Sequence, residues 1–196
     1  KMEIKFTATQ NMGCKMSHDF QLESNIRQML SILGEDINRE GLKDTPKRVA
    51  KAWGELMTPP EFNPTTFDAN GYDQMILEKG IKFYTFCEHH MLPFFGTVDI
   101  GYIPDEKIIG ISKLPRTVEY YSKRLNTQEY FTNNIAEYLQ EKLQPKGIGI
   151  VVRGRHLCQE MRGVKKEGQM ITSCLKGQML ENSTAREEFL ELCRKQ

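Results

Sequence analysis

The chain has little that would place it in a membrane, outside a cell or on nucleic acid. It contains no apolar run long enough to span a bilayer. Its opening residues, Lys1-Met2-Glu3-Ile4-Lys5, lack the apolar stretch of a signal peptide. Formal net charge is only +1 over 196 residues, so no global basic field points to nucleic acid or an anionic bilayer. Five cysteines, an odd number, show no spacing of a disulfide framework. No internal repeat or low-complexity stretch is present. The expectation is a cytoplasmic protein in a reducing compartment, with no nucleic-acid or membrane partner and with thiolates free for metal.

What is present is concentrated. Phe86-Cys87-Glu88-His89-His90 puts a thiol and two imidazoles within four residues, after the alternating run Ile81-Lys82-Phe83-Tyr84. Cys87 and His90 have the C-x-x-H spacing by which one tight turn can offer two side chains to one ion, and zinc takes mixed sulfur and nitrogen ligands. Two ligands do not hold zinc. The other segment able to contribute is His156-Leu157-Cys158, and residues two apart on a strand share a face. Three of the four histidines fall in these two segments. Free cysteines are also ordinary core residues, and a closed structural site with Cys174 or Cys193 as fourth ligand is open at this point. Three ligands and an open position would mark catalysis instead.

Periodicity predicts α+β organisation, with an N-terminal arm and helical region over 1–60 and the main domain over 61–196. Residues 1–18 have no sustained period and read as an arm or tail. Leu22, Ile26, Met29, Leu30 and Leu33 mark a helix that stops at Gly34. A second helix opens at Thr45-Pro46, with Thr45 as N-cap and Val49, Ala52, Trp53 and Leu56 as its apolar face. Residues 61–73 read as loop. Strands are expected at the metal segment, at Phe94 to Ile103, Gly147 to Cys158 and Met170 to Leu175. Between them lie two helices, one capped by Ser112 with the stripe Leu114, Val118, Tyr121. The other is capped by Thr127 with the stripe Phe131, Ile135, Tyr138, Leu139, Leu143. Thr184 to Cys193 is a closing helix. A four-stranded antiparallel sheet backed by two helices on one face leaves the other face and both edges open, and association of subunits would cover them.

Several stretches together carry a family resemblance. They are Gly41-Leu42-x-Asp44-Thr45-Pro46-x-Arg48-Val49-Ala50, Cys87-Glu88-His89-His90, Gly101-Tyr102-Ile103-Pro104, Ile109-Gly110-Ile111-Ser112-Lys113-Leu114, Gln128-Glu129, His156-x-Cys158, Met161-Arg162-Gly163-Val164 and Thr184-Ala185-Arg186-Glu187-Glu188-Phe189-Leu190. In this order, from about Leu22 to the C-terminus, they closely resemble zinc-dependent GTP cyclohydrolase I. The resemblance implies a tunnelling fold, with sheets joined into a ring across subunits, typically a homodecamer of two pentamers. It also implies hydrolytic opening of the GTP imidazole ring at C8, release of formate and rearrangement to 7,8-dihydroneopterin triphosphate. That is the first step toward folate, biopterin or deazapurine.

The same resemblance assigns roles. Cys87, His90 and Cys158 would hold Zn2+, with a fourth position left for water. His89 would serve the purine N7 as acid; His156, the histidine of the second metal segment, is assigned proton transfer from its own chemistry, with a supporting or packing role as the other reading. Ser112 would assist the later sugar rearrangement. Glu129, with Gln128 beside it, would read the guanine N1–H and exocyclic amine, a donor pair suited to a carboxylate. A triphosphate needs cations and a helix N-terminus, which points to Lys113 and Arg116 at the opening of a helix and to Arg162 after the second metal segment; by the resemblance, Arg48 and Lys51 would reach the triphosphate at a neighbouring subunit's site. The family's usual Gly-x-Phe is here Gly177-Gln178-Met179, and Pro115 interrupts the Ser-Lys-x-x-Arg run. Two other readings stand beside this one: a tunnelling-fold relative with different purine or pterin chemistry, which would lack this ligand set, and a binding protein with a closed structural zinc.

Overall fold

The structure, a computed structural model, describes residues 12–194. In chain order the elements are α1 (Met12–Ile32), α2 (Thr45–Leu56), β1 (Thr66–Asp68), β2 (Ile76–Cys87), β3 (Pro93–Ile103), β4 (Lys107–Ile109), α3 (Lys113–Ser122), β5 (Leu125–Asn126), α4 (Gln128–Leu143), β6 (Gly147–His156), α5 (Leu157–Glu160), β7 (Met170–Gly177), α6 (Gln178–Glu181) and α7 (Ser183–Arg194). They form two compact units, one ending at Thr58 and the other beginning at Pro59. No helix among the described residues is long and apolar enough to cross a membrane.

In the first unit α1 and α2 pack on each other. α1 starts ten residues before its apolar stripe does, at Met12 rather than Leu22. Backbone hydrogen bonding carries a helix past the point where an apolar face gives it away, so the expected arm is helical from Met12. Its residues 1–11 lie outside the described residues. Gly34, at φ +85°, ends α1 as expected: its N–H donates to Ser31 O and that of Glu35 to Leu30 O, both at 3.0 Å. The cap of α2 differs from expectation. Asp44 occupies the N-cap position without a side-chain cap bond, while the Thr45 hydroxyl donates back to Gly41 O at 3.4 Å. The buried residues of α2 are Pro46 and Ala50, whereas Ala52 is exposed and Leu56 is 39% exposed. The packed face is thus rotated from the most apolar arc, because the turn of helix that meets α1 decides which side is covered.

The second unit is built on a sheet of strand order β5-β2-β3-β6-β7. β2, β3, β6 and β7 pair antiparallel, as expected for the four long strands. A fifth, two-residue strand joins parallel to the end of β2, pairing Phe86 with Leu125 and Cys87 with Asn126. The segment read as loop over 61–73 contains β1, which pairs with β4 in a separate two-stranded sheet. Alternation holds along β2: Ile81, Phe83 and Thr85 are buried while Lys82 and Tyr84 are exposed. Thr127 caps α4 by accepting from Tyr130 N at 3.1 Å, a contribution of about 1 kcal/mol. Ser112 takes the N-cap position of α3 without a side-chain cap bond.

The main core lies between the sheet and the helices α3 and α4. It joins Phe83, Phe94, Val98 and Ile100 to Leu114, Val118, Phe131, Ile135 and Leu139. The second face is not left wholly open, as the sequence suggested. α7 lies on it, and a second cluster joins Ile103, Val151, Met179, Phe189 and Cys193. β6 is therefore buried on both sides over this stretch, with Ile150 and Val152 at one face and Val151 at the other. Gly101 and Gly149 make room for this helix, since a Cβ at either would stand 2.6 Å from the Phe189 ring. An apolar run with glycines at alternate positions signals that close approach only once the partner is known.

Candidate active site

Strand pairing assembles the site at one end of the sheet. β2 ends at Cys87 and β3 begins at Pro93, so residues 88–92 form a hairpin turn. The turn is closed by Cys87 N–H donating to Leu92 O at 2.9 Å and by Met91 N–H donating to Cys87 O at 2.8 Å. Met91 adopts φ +53°, the left-handed conformation that reverses the chain. β5 steadies the same turn, because Glu88 N–H donates to Asn126 O at 3.0 Å. The buried Asn126 amide in turn donates to Thr85 Oγ1 at 2.9 Å and Tyr121 O at 3.0 Å. β6 arrives beside β3 with His156 directly opposite Phe94. Their rings stack with centroids 4.4 Å apart and planes 6° from parallel.

Cys158 reaches the site by a different route from the one expected. β6 stops at His156, and Cys158 lies in the short helix α5 that follows. His156 and Cys158 therefore do not share a strand face. The change of backbone direction after His156 brings the thiol round toward Cys87. Ligand atoms of Cys87, His90 and Cys158 all lie within 4.8 Å of one another. Cys87 Sγ is 3.8 Å from His90 Nδ1, slightly more than the separation of about 3.6 Å between a sulfur and a nitrogen on a tetrahedral zinc. The donor set of two sulfurs and one nitrogen fits zinc. Burial and the neighbouring Cys87 thiol push the Cys158 thiol up, and Arg162 partly opposes them. The alternative fourth ligands are elsewhere: Cys174 Sγ contacts Asn133 Oδ1 at 3.8 Å, and Cys193 belongs to the cluster under α7. Among the described residues the group has three members, which leaves a position open.

Two further histidines flank the group. His89 is exposed, with Nδ1 3.8 Å from Cys87 Sγ and Nε2 3.8 Å from Glu88 Oε1. His156 is half-buried, and desolvation lowers its pKa although the carboxylates of Glu129 and Glu160 pull the other way. Its Nε2 is 2.8 Å from Gln128 Oε1. The amide nitrogen of Gln128 faces acceptors: Met170 O at 3.0 Å, Val152 O at 3.2 Å and Thr172 Oγ1 at 3.2 Å. That assigns the amide orientation by its surroundings. The oxygen can only accept, so the imidazole proton sits on Nε2 and Nδ1 keeps the free lone pair. The network closes on itself. Thr172 Oγ1 lies 2.6 Å from Thr132 Oγ1, which donates to Gln128 O at 2.7 Å. Gly154 leaves the space, since a Cβ there would lie 2.3 Å from Gln128 Oε1.

Gln128, expected beside the substrate, is thus 1% exposed with its side chain engaged inside the protein. Its amide oxygen faces the His156 Nε2. A signal was available in the sequence: Gln128, Phe131 and Ile135 follow helical spacing, which puts a polar residue on a buried stripe. The Phe94 ring under His156 had no such signal. Glu129, next along α4, is exposed and close enough to act electrostatically on His156. Ser112 and Lys113 stand at the start of α3, and Ser112 is exposed. Arg116 lines a cleft of about 800 Å³ with Phe62, Tyr120, Tyr121, Tyr138 and Lys142, none of which belongs to the metal group. Arg162 is exposed just after α5. Arg48 and Lys51 are exposed on α2 of the first unit, and Arg48 pairs with Asp44 at 3.5 Å.

Fold and donor set together define an α+β protein with a Cys87-His90-Cys158 group that could hold a metal ion. Comparison with known proteins gives the particular family. The model of the family described as GTP cyclohydrolase I matches residues 22–194. A protein named GTP cyclohydrolase 1 from Sulfurihydrogenibium sp. (strain YO3AOP1) is 51% identical over 174 residues, covering 88% of this chain and 93% of its own. One of the same name from Aquifex aeolicus (strain VF5) is 48% identical over 174 residues, covering 88% and 95%. The bifunctional protein FolKE of Lactococcus lactis subsp. cremoris (strain MG1363) is 45% identical over 179 residues, covering 87% of this chain and 51% of its own. The chain belongs to the GTP cyclohydrolase I family.

Proposed function

We propose that this chain opens the imidazole ring of GTP at C8, releases formate and rebuilds the product as 7,8-dihydroneopterin triphosphate. The observation that carries the mechanism is the convergence of Cys87, His90 and Cys158 within 4.8 Å. Zinc held by these residues would supply a water acidified to a pKa of about 7 and hence a nucleophile at neutral pH. The remaining chemistry belongs to the protein. Ring opening needs a proton at the departing purine nitrogen. His89, adjacent to ligand His90 and exposed, serves N7 as acid. His156, with its proton on Nε2, presents Nδ1 as the acceptor for a second proton, and Gln128 and the Phe94 ring keep it in that orientation.

Glu129 accepts from the guanine N1–H and exocyclic amine, which an adenine cannot offer in that pattern. Lys113, Arg116 and Arg162 neutralise the triphosphate, and Ser112 assists the sugar rearrangement. Arg48 and Lys51 serve the triphosphate bound to a neighbouring copy in a ring-shaped homodecamer of the tunnelling fold, acting in the cytoplasm. The reading of a structural zinc protein is disfavoured by the three-membered donor group and by the histidines around it.

Formate release from GTP, measured with the zinc-loaded protein and after treatment with chelator, tests this. Turnover that zinc restores is the expected result. Full turnover in rigorously metal-free protein would show that the three ligands have another purpose.

A further inference from the structure

The turn that carries both His156 and Cys158 has little of its own to hold it. α5 spans only Leu157–Glu160, and His156 at its N-cap makes no side-chain cap bond. Met161 N–H donating to Leu157 O at 3.0 Å is its closing backbone bond. A single turn of helix is not self-sustaining in water. Across this turn lies a side-chain brace. Arg155 Nε donates to Glu160 Oε1 at 3.1 Å and Nη2 to Glu160 Oε2 at 2.7 Å. The paired bonds span residues 156–159, the stretch containing the imidazole and the thiol. The same guanidinium meets Glu167 Oε1 at 3.2 Å, tethering the loop that bears Arg162. Arg155 is itself seated in β6, opposite Phe95. Glu160's side chain is 13% exposed against 75% for Glu167, which makes Glu160 the ordered partner.

We propose that Arg155 and Glu160 are a positioning pair that sets the placement of Cys158 relative to His156. The proposal rests on the reading of Cys87, His90 and Cys158 as metal ligands. The bonds of the pair run to each other across the turn, so it acts on Cys158 through the backbone, while the Glu160 carboxylate also acts electrostatically on His156. The fork geometry matters: two parallel bonds fix orientation as well as distance, and a lysine cannot reproduce them.

The test uses Arg155→Lys, Glu160→Gln and the exchanged double variant Arg155→Glu/Glu160→Arg, each titrated with Co2+ and assayed for formate release. Arg155→Lys should bind Co2+ about tenfold more weakly, as found when residues supporting metal ligands are altered. At saturation it should keep the thiolate-to-cobalt absorption, because both cysteines are still present. Its kcat should fall while KM for GTP stays within about twofold, the signature of misplaced chemistry with intact binding. Its melting temperature should remain within about 4 °C of the parent, the range for an exposed ion pair. The exchanged variant should recover most of the lost affinity. Single variants that bind Co2+ and turn over like the parent overturn the pair's role while leaving the metal reading intact. A loss in both single variants that the exchange does not repair also overturns it. A parent that itself fails to bind Co2+ overturns the metal reading and the proposal with it.

Discussion

The two turns that make the metal group are built on different principles. The Cys87–His90 turn is a hairpin between adjacent antiparallel strands, closed by its own backbone bonds and buttressed by Asn126 from β5. The His156–Cys158 turn leaves the sheet altogether, and its backbone relies on side chains: Gln128 and Phe94 for the imidazole, Arg155 and Glu160 for the segment beyond it. The first is local in sequence and therefore readable there. The second depends on residues about 28 and 62 positions away (156 − 128 and 156 − 94), brought close by register. A site composed of one self-sufficient turn and one dependent turn should respond unequally to damage.

The largest effect breaks the donor group itself. Cys158→Ser should reduce turnover to background and leave metal content well below one ion per chain, read by elemental analysis and formate release. An active, fully loaded serine variant would mean that the dependent turn contributes no ligand. Next, His89→Ala should keep its zinc but lose formate release by about 10²- to 10⁴-fold, the usual contribution of a general acid. Near-normal release would transfer the acid's role to another group.

Gly154→Ala separates the two turns more finely. The added Cβ meets Gln128 Oε1 and must displace the amide that holds His156. Overpacking of this kind costs about 1–3 kcal/mol in urea denaturation, and kcat should fall with it. Metal retention through the hairpin ligands should fall less than in Cys158→Ser. Equal stability and turnover would show that the Gln128–His156 contact is dispensable.

The smallest effect concerns a thiol outside both turns. Burial, followed by the nearby Asp99, pushes Cys193 from 9.0 up to about 12. The unfolded chain gives up this proton first as pH rises, so the folded state is penalised in that window. The contribution to stability is complete below pH 9 and lost as the pH climbs toward 12. Denaturation at pH 8 and pH 10 should reveal a fall of about 1 kcal/mol from this group. Cys193→Ala should flatten the fall, and Cys193 should be slow to alkylate at pH 8. Rapid alkylation of the folded protein would remove the basis for the expected slope.

Local pattern alone determined much of this protein. Alternation in Ile81-Lys82-Phe83-Tyr84, the stripe from Phe131 to Leu143 and the cap at Thr127 are nearest-neighbour properties, and short-range sterics and burial read them directly. The C-x-x-H spacing of Cys87 and His90 is of the same kind, because a tight turn has few conformations. Tertiary structure decided the rest. Cys158 was expected on a strand face with His156, yet where a strand ends depends on what its neighbour stops pairing with. β3 offers β6 no partner beyond Phe94. Gln128 was expected at the substrate, but its depth depends on β6 and β7 supplying Val152 O, Met170 O and Thr172 Oγ1. α7 was legible as a helix, while its seat on the second sheet face required Gly101 and Gly149 to stand beneath Phe189. A sequence records each residue's preference for helix, strand or burial. Which distant group satisfies a buried polar atom is settled by register and packing, and no single position carries that information.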